Sequence, residues 1–400
     1  MNWLIVNPEL PQFDRTSGGL RLQTFIGLLR EQGCACRYLV TTPEAERRRI
    51  GDADWARYCS ALKDLGVEVL TLPLQEALEL HQPDVVMFEF FHVARPFLRT
   101  VRAMTPRARV VVDSVDLNFL RYHAKADLSG LPEDRAKARQ VEEHELETYR
   151  RSELVLTLTD DEAGELNRRL PGVATFNLPN IHPLPDVDRR EETTPEVLFI
   201  GSFTHDPNVD AVRWFRDDVW PRVRAARPDA RWTIIGANAP EDISALTGDG
   251  IVFEGRVPLT DPYMRRAWVS IAPLRFGAGM KGKVGEALAW GVPVVTTSFG
   301  AQGYGIESGC SGMLADTADS FADAVLALMS NAPQRMELGS NGRSLIAGRF
   351  TREAVAASLP GMLTHLEQSR IVDKVACPML ARLELRTSSW WAKNMAWRLR

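Results

Sequence analysis

The sequence predicts an α/β protein made of two successive halves, each built on a parallel sheet. Three observations carry this. Short apolar runs alternate with longer helix-period stretches, first up to about residue 180 and again from about residue 196. Each half contains a strand that enters a glycine-bearing turn and then a helix, at residues 3–33 and 268–297. Between the halves, PLPDVDRREETTP at 183–195 is rich in proline and charge and poor in apolar positions, as a linker is. The expected division is therefore 1–182, a linker at 183–195, 196–350, and a C-terminal region of helices and tail at 351–400.

In the first half, Trp3-Leu4-Ile5-Val6 reads as a strand. The loop from Asn7 ends in Ser17-Gly18-Gly19, and Leu20, Phe25, Leu28 and Leu29 mark a helix that stops at Gly33. Tyr38-Leu39-Val40 follows as a strand. The dinucleotide fingerprint GxGxxG is absent. Residues 44–64 are charged and helical in pattern, and Val67 to Leu70 is a short strand. Asp84 to Phe90 is a stronger strand that delivers Glu89, Phe91 and His92 to its end. Arg109 to Asp113 is another, followed by Ser114, Asp116, Asn118 and Arg121. Residues 132–151 read as a solvated helix. Leu154 to Thr159 is a strand with Asp160 as the cap of the next helix, and Leu178-Pro179-Asn180 closes the half.

The second half opens with the strand Val197 to Ile200, ending at Gly201-Ser202. A helix over 209–223, strands at 232–236 and 251–255, and a helix about 264–267 lead to the stretch Trp268 to Thr297. There Val269 to Ala272 is a strand, Arg275 to Gly282 a loop, Val284 to Trp290 a helix stopped by Gly291, and Pro293-Val294-Val295 the next strand. Gly300 to Gly312 is a glycine-rich loop, and helices follow over 320–329, 333–347 and 353–366.

A glycine loop that opens a helix presents bare N–H groups and the positive end of the helix dipole, which suits an anion, phosphate above all. Gly277 and Gly279 make that loop here, and Arg275, Lys281 and Lys283 add full charge. Glu286, one turn into the helix, is unsuited to touch phosphate and suited to accept hydrogen bonds from sugar hydroxyls. The expected ligand has phosphates at one end and hydroxyls beside them. In the first half, Asp116 and His92 end strands where an acceptor-activating base would sit. Each has a blander reading, Asp116 as a helix cap and His92 as a structural histidine. Asn180 is either a ligand or a turn residue.

Composition removes several classes. A net charge of −4 disfavours nucleic acid as a partner. The cysteines at 34, 36, 59, 310 and 377 are scattered, odd in number and without a CxxC, which suits reduced thiols in the cytoplasm and not a zinc site. Trp3 to Val6 is too short for a signal peptide, and no run approaches the roughly 20 apolar residues of a spanning helix. Asp52-Ala53-Asp54 and Asp186-Val187-Asp188 match DxD on paper but lie in charged segments away from strand ends, so no metal is expected. Trp390, Trp391 and Trp397, interleaved with Arg382, Arg386, Lys393, Arg398 and Arg400, suit a peripheral membrane contact at the inner face or a last helix packed on the first half.

PLRFGAGMKGKVGEALAWGVPVVTT resembles the donor-binding signature of GT-B glycosyltransferases of the family 4 type. FIGSFTHDPNVDAVRWF from Phe199, GAQGYGI from Gly300 and LPN at 178–180 are similar to other parts of the same family. In the first half the resemblance rests on Ser17-Gly18-Gly19 and DSVDLNFLR. It implies two Rossmann-like domains facing a cleft, the second binding a nucleotide-sugar donor and the first most of a glycan or lipid-linked acceptor. It implies transfer with retention and without metal or other cofactor. Lys281 and Lys283, with Arg275, then neutralise the diphosphate leaving group, so Lys283 counts among the catalytic candidates. Gly201, Ser202, Gly277 and Gly279 belong to the donor site, Glu286 binds the ribose, and Gly18 and Gly19 approach the phosphates from the first domain. One departure is Ala278, which stands where the family has the glutamate that contacts the donor sugar. The rival readings are a non-catalytic nucleotide-sugar-binding subunit and a sugar-nucleotide epimerase.

Overall fold

A computed structural model describes residues 1–186, 194–277 and 279–372. The chain forms two α/β units. The first comprises Met1–Phe119, Ala136–Leu178 and the chain from Ala356; the second comprises Leu120–Arg135 and Pro179–Val355. Ala278, most of the expected linker including Val187 and Asp188, and the aromatic and basic tail lie outside the described residues.

The first unit holds a seven-stranded sheet of β1 (Asn2–Asn7), β2 (Ala35–Val40), β3 (Glu68–Leu70), β4 (Val85–Glu89), β5 (Arg109–Asp113), β6 (Leu154–Thr157) and β7 (Thr175–Asn177). Its order is β3-β2-β1-β4-β5-β6-β7, with every pairing parallel. The second unit repeats the plan with β8 (Glu196–Ile200), β9 (Arg231–Ile235), β10 (Thr247–Gly248), β11 (Ile251–Gly255), β12 (Val269–Ala272), β13 (Val294–Thr296) and β14 (Met313–Leu314). The order is β10-β11-β9-β8-β12-β13-β14, and only the β10–β11 edge pair is antiparallel. The central strands are buried on both faces, which is why they read as continuous apolar runs. In both sheets the strand order reverses beside the first strand, at β1/β4 and at β8/β12. Open α/β sheets bind ligands at the carboxyl ends of strands at such a reversal.

Several local expectations are corrected. The helix Ser17–Glu31 begins before the glycines: Thr16 is its N-cap, with Oγ1 accepting from Gly19 N at 3.0 Å. Thr159, not Asp160, caps the helix Asp160–Arg169, accepting from Glu162 N at 3.0 Å. The helix Pro132–Arg150 is not wholly solvated. Its buried Glu145 accepts from Asn118 N (3.1 Å), Phe119 N (2.8 Å) and the Tyr149 hydroxyl (2.7 Å), and so caps the helix Asn118–Ser129 from outside. The helix expected over 209–223 runs from Asp206 to Ala226 through a π-turn at Phe215–Val219. The extra residue lets Val219 and Trp220 both join the core, where Phe215 packs on Trp232 with ring centroids 4.7 Å apart.

The first unit is tied by two buried ion pairs. Arg21 meets Asp113 in two-point fashion at 2.6 and 2.9 Å, both side chains fully buried, and its Nε donates to Leu178 O at 2.8 Å. Arg102 meets both oxygens of Glu153 at 2.9 Å. The last described helix, Arg352–Gln368, ends against this unit: Arg109 donates to Glu367 O (2.6 Å), and Val372 N donates to Glu153 (2.8 Å). Among the described residues no helix is long and apolar enough to cross a membrane.

Candidate functional site

The second unit's reversal lies between β8 and β12, so the loops after these strands should meet. They do. The loop after β12 carries Gly277 and Gly279, with φ of +142° and +69°, conformations that side chains rarely adopt. It delivers the helix Gly282–Ala289, which has Lys281 at its N-cap position. A lysine side chain has no acceptor to offer first-turn N–H groups, so the helix makes no side-chain cap there.

Lys283 crosses from that helix to the end of β8. Its Nζ donates to Asn208 Oδ1 at 2.6 Å and lies 4.1 Å from the centre of the Phe199 ring. A Cβ on Gly201 would stand 2.7 Å from that nitrogen and 2.9 Å from Asn208 Cγ, so Gly201 makes the space the ammonium fills. Asn208 is fixed in turn by donating to Ser202 O at 2.7 Å, and the Ser202 hydroxyl lies 2.9 Å from that of Thr204. Burial, and then the charge of Lys281, push the Lys283 ammonium down to about 7. Its partners here are neutral, so an anionic ligand would supply the missing counter-charge.

Lys281 turns its ammonium to Gly279 O and lies 3.4 Å from Gln302 Oε1. Glu286, on the face of the helix shared with Lys283, accepts from the Thr260 hydroxyl at 2.6 Å. Burial raises its pKa, and the Thr260 hydrogen bond opposes this. Arg275 is placed differently from the expectation. Its guanidinium binds the Asp210 carboxylate, with Nε to Oδ2 at 2.9 Å, and lies 5.9 Å from the Trp214 ring centre. The structure thus groups Gly201, Ser202, Gly277, Gly279, Lys281, Lys283 and Glu286, and turns Arg275 to an ion pair. Asn208 and Thr260 were not read from the sequence, although Asn208 stands in the quoted HDPN stretch.

The first-unit candidates follow the carboxyl ends of the neighbouring strands β1, β4 and β5. Gly19 gives its N–H to Thr16, and a Cβ there would stand 2.6–2.7 Å from the backbone of Gln12, so its lack of a side chain is required by packing; Gly18 borders open space. The chain turns after β4 at Phe90, with φ +69°, so Glu89 stays buried while His92 falls on the short helix Phe91–Ala94, exposed, with its ring 5.2 Å from that of Phe90. Glu89 accepts from Asn7 Nδ2, and burial, then the nearby Asp113, push it up to about 8. Asp116 follows Val115, whose φ is +59°, and is half-buried. Asp52 and Asp54 of the DxD-like run pair with Arg47, Arg15 and Arg57.

Comparison with known proteins finds similarity in sequence and in fold. Residues 194–331 match the family model described as glycosyl transferases group 1. A Klebsiella pneumoniae protein described as an uncharacterized 44.6 kDa protein in the cps region is 26% identical over 193 residues, 46% of this chain and 49% of that protein. The chain thus spans about half the length of that relative. Among solved structures, sucrose-phosphate synthase from Thermosynechococcus elongatus superposes with a TM-score of 0.69 at 14% identity, over 92% of this chain and 99% of its own. HepE of Anabaena, solved with UDP and glucose, gives 0.61 at 13% identity, over 91% and 99%. TarM gives 0.61 at 16%, over 74% of this chain and 57% of its own. The match to the group 1 model falls within the second unit, and the chain has the GT-B fold.

Proposed function

We propose that this chain is a glycosyltransferase that moves a sugar from a nucleotide-sugar donor to a glycan or lipid-linked acceptor in cell-surface polysaccharide synthesis. The observation that carries the reading is Lys283, held by neutral partners over Gly201 beside an uncapped helix N-terminus at the strand-order reversal. The cps-region relative supports the polysaccharide context, and HepE, solved with UDP and glucose, supports UDP as the first nucleotide to try.

In the proposed reaction the bond between the anomeric carbon and the diphosphate oxygen breaks. An acceptor hydroxyl oxygen bonds to that carbon, and its proton leaves. Negative charge grows on the departing phosphate, where the Lys283 ammonium, Lys281 and the first-turn N–H groups stabilise it most. Glu286, aimed by Thr260, holds the ribose hydroxyls. His92 and Asp116 are the proposed recipients of the acceptor proton. Transfer is with retention and without metal, as the family resemblance implies. Ala278, in place of the glutamate that usually contacts the donor sugar, favours a second reading in which the chain binds a nucleotide sugar without turning it over.

The test is Lys283→Ala, with UDP binding measured by calorimetry and transfer by product analysis. Loss of one such preorganised cation lowers turnover about 100- to 1000-fold while the melting temperature holds. Undiminished UDP affinity and transfer in that variant would remove the assignment. UDP-sugar binding by the wild type with no transfer to any acceptor favours the second reading.

A further inference from the structure

The loop before the helix Gly282–Ala289 rests on three buried polar side chains: Asn180, read from the sequence as a ligand or a turn residue, and His182 and Tyr304, to which nothing above assigns a role. Asn180 Nδ2 donates to Met280 O at 3.1 Å. The Tyr304 hydroxyl donates to Lys281 O at 3.2 Å, and His182 Nε2 lies 2.9 Å from the same hydroxyl. All three residues are at most 4% exposed. His182 is itself anchored by donating its backbone N–H to Phe350 O at 2.8 Å, and the Tyr304 ring packs edge-on against Phe350 at 5.3 Å. Gly285 is the counterpart on the helix: a Cβ there would stand 2.1 Å from His182 Nε2 and 2.5 Å from the Tyr304 hydroxyl. The pair therefore packs directly against the first turn.

What the trio grips are carbonyl groups. A peptide unit is planar and trans, so its C=O and N–H point in opposite directions. Holding the Met280 carbonyl against Asn180 aims the Lys281 N–H away from Asn180. Holding the Lys281 carbonyl against Tyr304 aims the Gly282 N–H away from Tyr304. These are the N–H groups at the start of the helix, where the dipole favours an anion. With the tyrosine proton given to Lys281 O, His182 supplies the proton between Nε2 and the hydroxyl. That assigns it as the neutral Nε2–H tautomer. Burial agrees, pushing the imidazole down to about 4.

We propose that Asn180, His182 and Tyr304 are positioning residues for the donor's diphosphate, acting through the N–H groups of Lys281 and Gly282. The proposal rests on the donor-site reading of this loop. It gives the trio no contact with the ligand. It predicts a selective defect: the phosphate-dependent part of nucleotide affinity weakens, while the nucleoside part does not.

The experiment measures UDP and uridine affinities on the full chain by calorimetry, uridine by displacement, for wild type, Tyr304→Phe, Asn180→Ala and Lys283→Ala. Removing a grip that orients a charge-assisted hydrogen bond should weaken UDP about tenfold, with uridine unchanged within about twofold. Asn180→Ala keeps the test open if Tyr304→Phe does not fold. Equal losses for UDP and uridine would mean general loosening and overturn the proposal. So would unchanged UDP affinity in both positioning variants while Lys283→Ala loses it, and in that case the donor-site reading stands. A wild type that binds no UDP, or a Lys283→Ala variant that binds it fully, overturns the donor-site reading and this proposal together.

Discussion

The two units solve the same local problem in opposite ways. Each sends a first strand or its neighbour into a glycine-bearing loop and a helix at the reversal of strand order. In the first unit the helix Ser17–Glu31 is closed by its own chain: Thr16 takes the Gly19 N–H. The buried cation there, Arg21, is matched in two-point fashion by Asp113. In the second unit the helix Gly282–Ala289 has a lysine at the capping position, and Lys283 is held by an amide and an aromatic face. One helix start is internally satisfied, while the other leaves positive potential for something else to satisfy. The shared topology does not say which is which; the capping residue and the cation's partner do.

Breaking the satisfied side should cost the most stability. Arg21→Ala strands the Asp113 carboxylate in the core and should destabilise the first unit by about 3–5 kcal/mol in denaturant unfolding. UDP binding by the second unit should survive below the unfolding transition. A small change in stability would mean that Arg21 and Asp113 are less matched than their geometry says.

On the open side, Gly201→Ala sharpens the contrast. The new methyl meets Lys283 Nζ at 2.7 Å and Asn208 Cγ at 2.9 Å, so both side chains must shift and some stability is lost with the site. Displacing that ammonium should weaken UDP about tenfold. Full affinity would place the phosphate elsewhere.

Acidity offers a third test. Lys283 sits near 7 because of burial first and Lys281 second. A bound diphosphate favours the charged form, so UDP affinity should fall as pH rises from 7 to 9, approaching about tenfold per unit. The same group acts in the other direction on the unliganded fold. Its folded value lies below that of the unfolded chain, so its charging cost is complete below 7 and is relieved as pH rises towards the ordinary lysine value. Lys283→Met should flatten both slopes. A UDP affinity independent of pH in the wild type would contradict the assignment.

The smallest effect is expected at the first unit's cap. Thr16→Ala should cost about 1 kcal/mol of stability and leave UDP binding untouched. A loss of UDP affinity there would show that the first helix start is not closed to the ligand.

Much of this was legible because it is local. The strand, glycine loop, helix and strand over 268–297 are contiguous, and their periodicity and turn residues agree with one another. The central strands were equally plain, since burial on both faces leaves long apolar runs. The edge strands β7, β10 and β14 were missed because two or three residues carry no period. The supporting side chains were missed for a different reason. Asn208, Thr260 and Tyr304 reach Lys283, Glu286 and Lys281 across 75, 26 and 23 residues, and no pattern of propensity encodes such a meeting. Arg275 is the converse case: it stands beside the glycine loop in sequence, and the fold pairs it with the Asp210 carboxylate of another helix.

The return of the last described helix to the first unit bears on synthesis. Arg109 and Glu153 find partners in residues 367–372, so the first unit is completed by the far end of the chain. At translation rates of roughly 5–20 residues per second, a nascent chain waits about 10–40 s between Leu178 and those residues. The second unit, continuous in sequence apart from Leu120–Arg135, is finished in that interval. The earlier-made half is thus the later one to close, and it is the half most in need of protection on the ribosome.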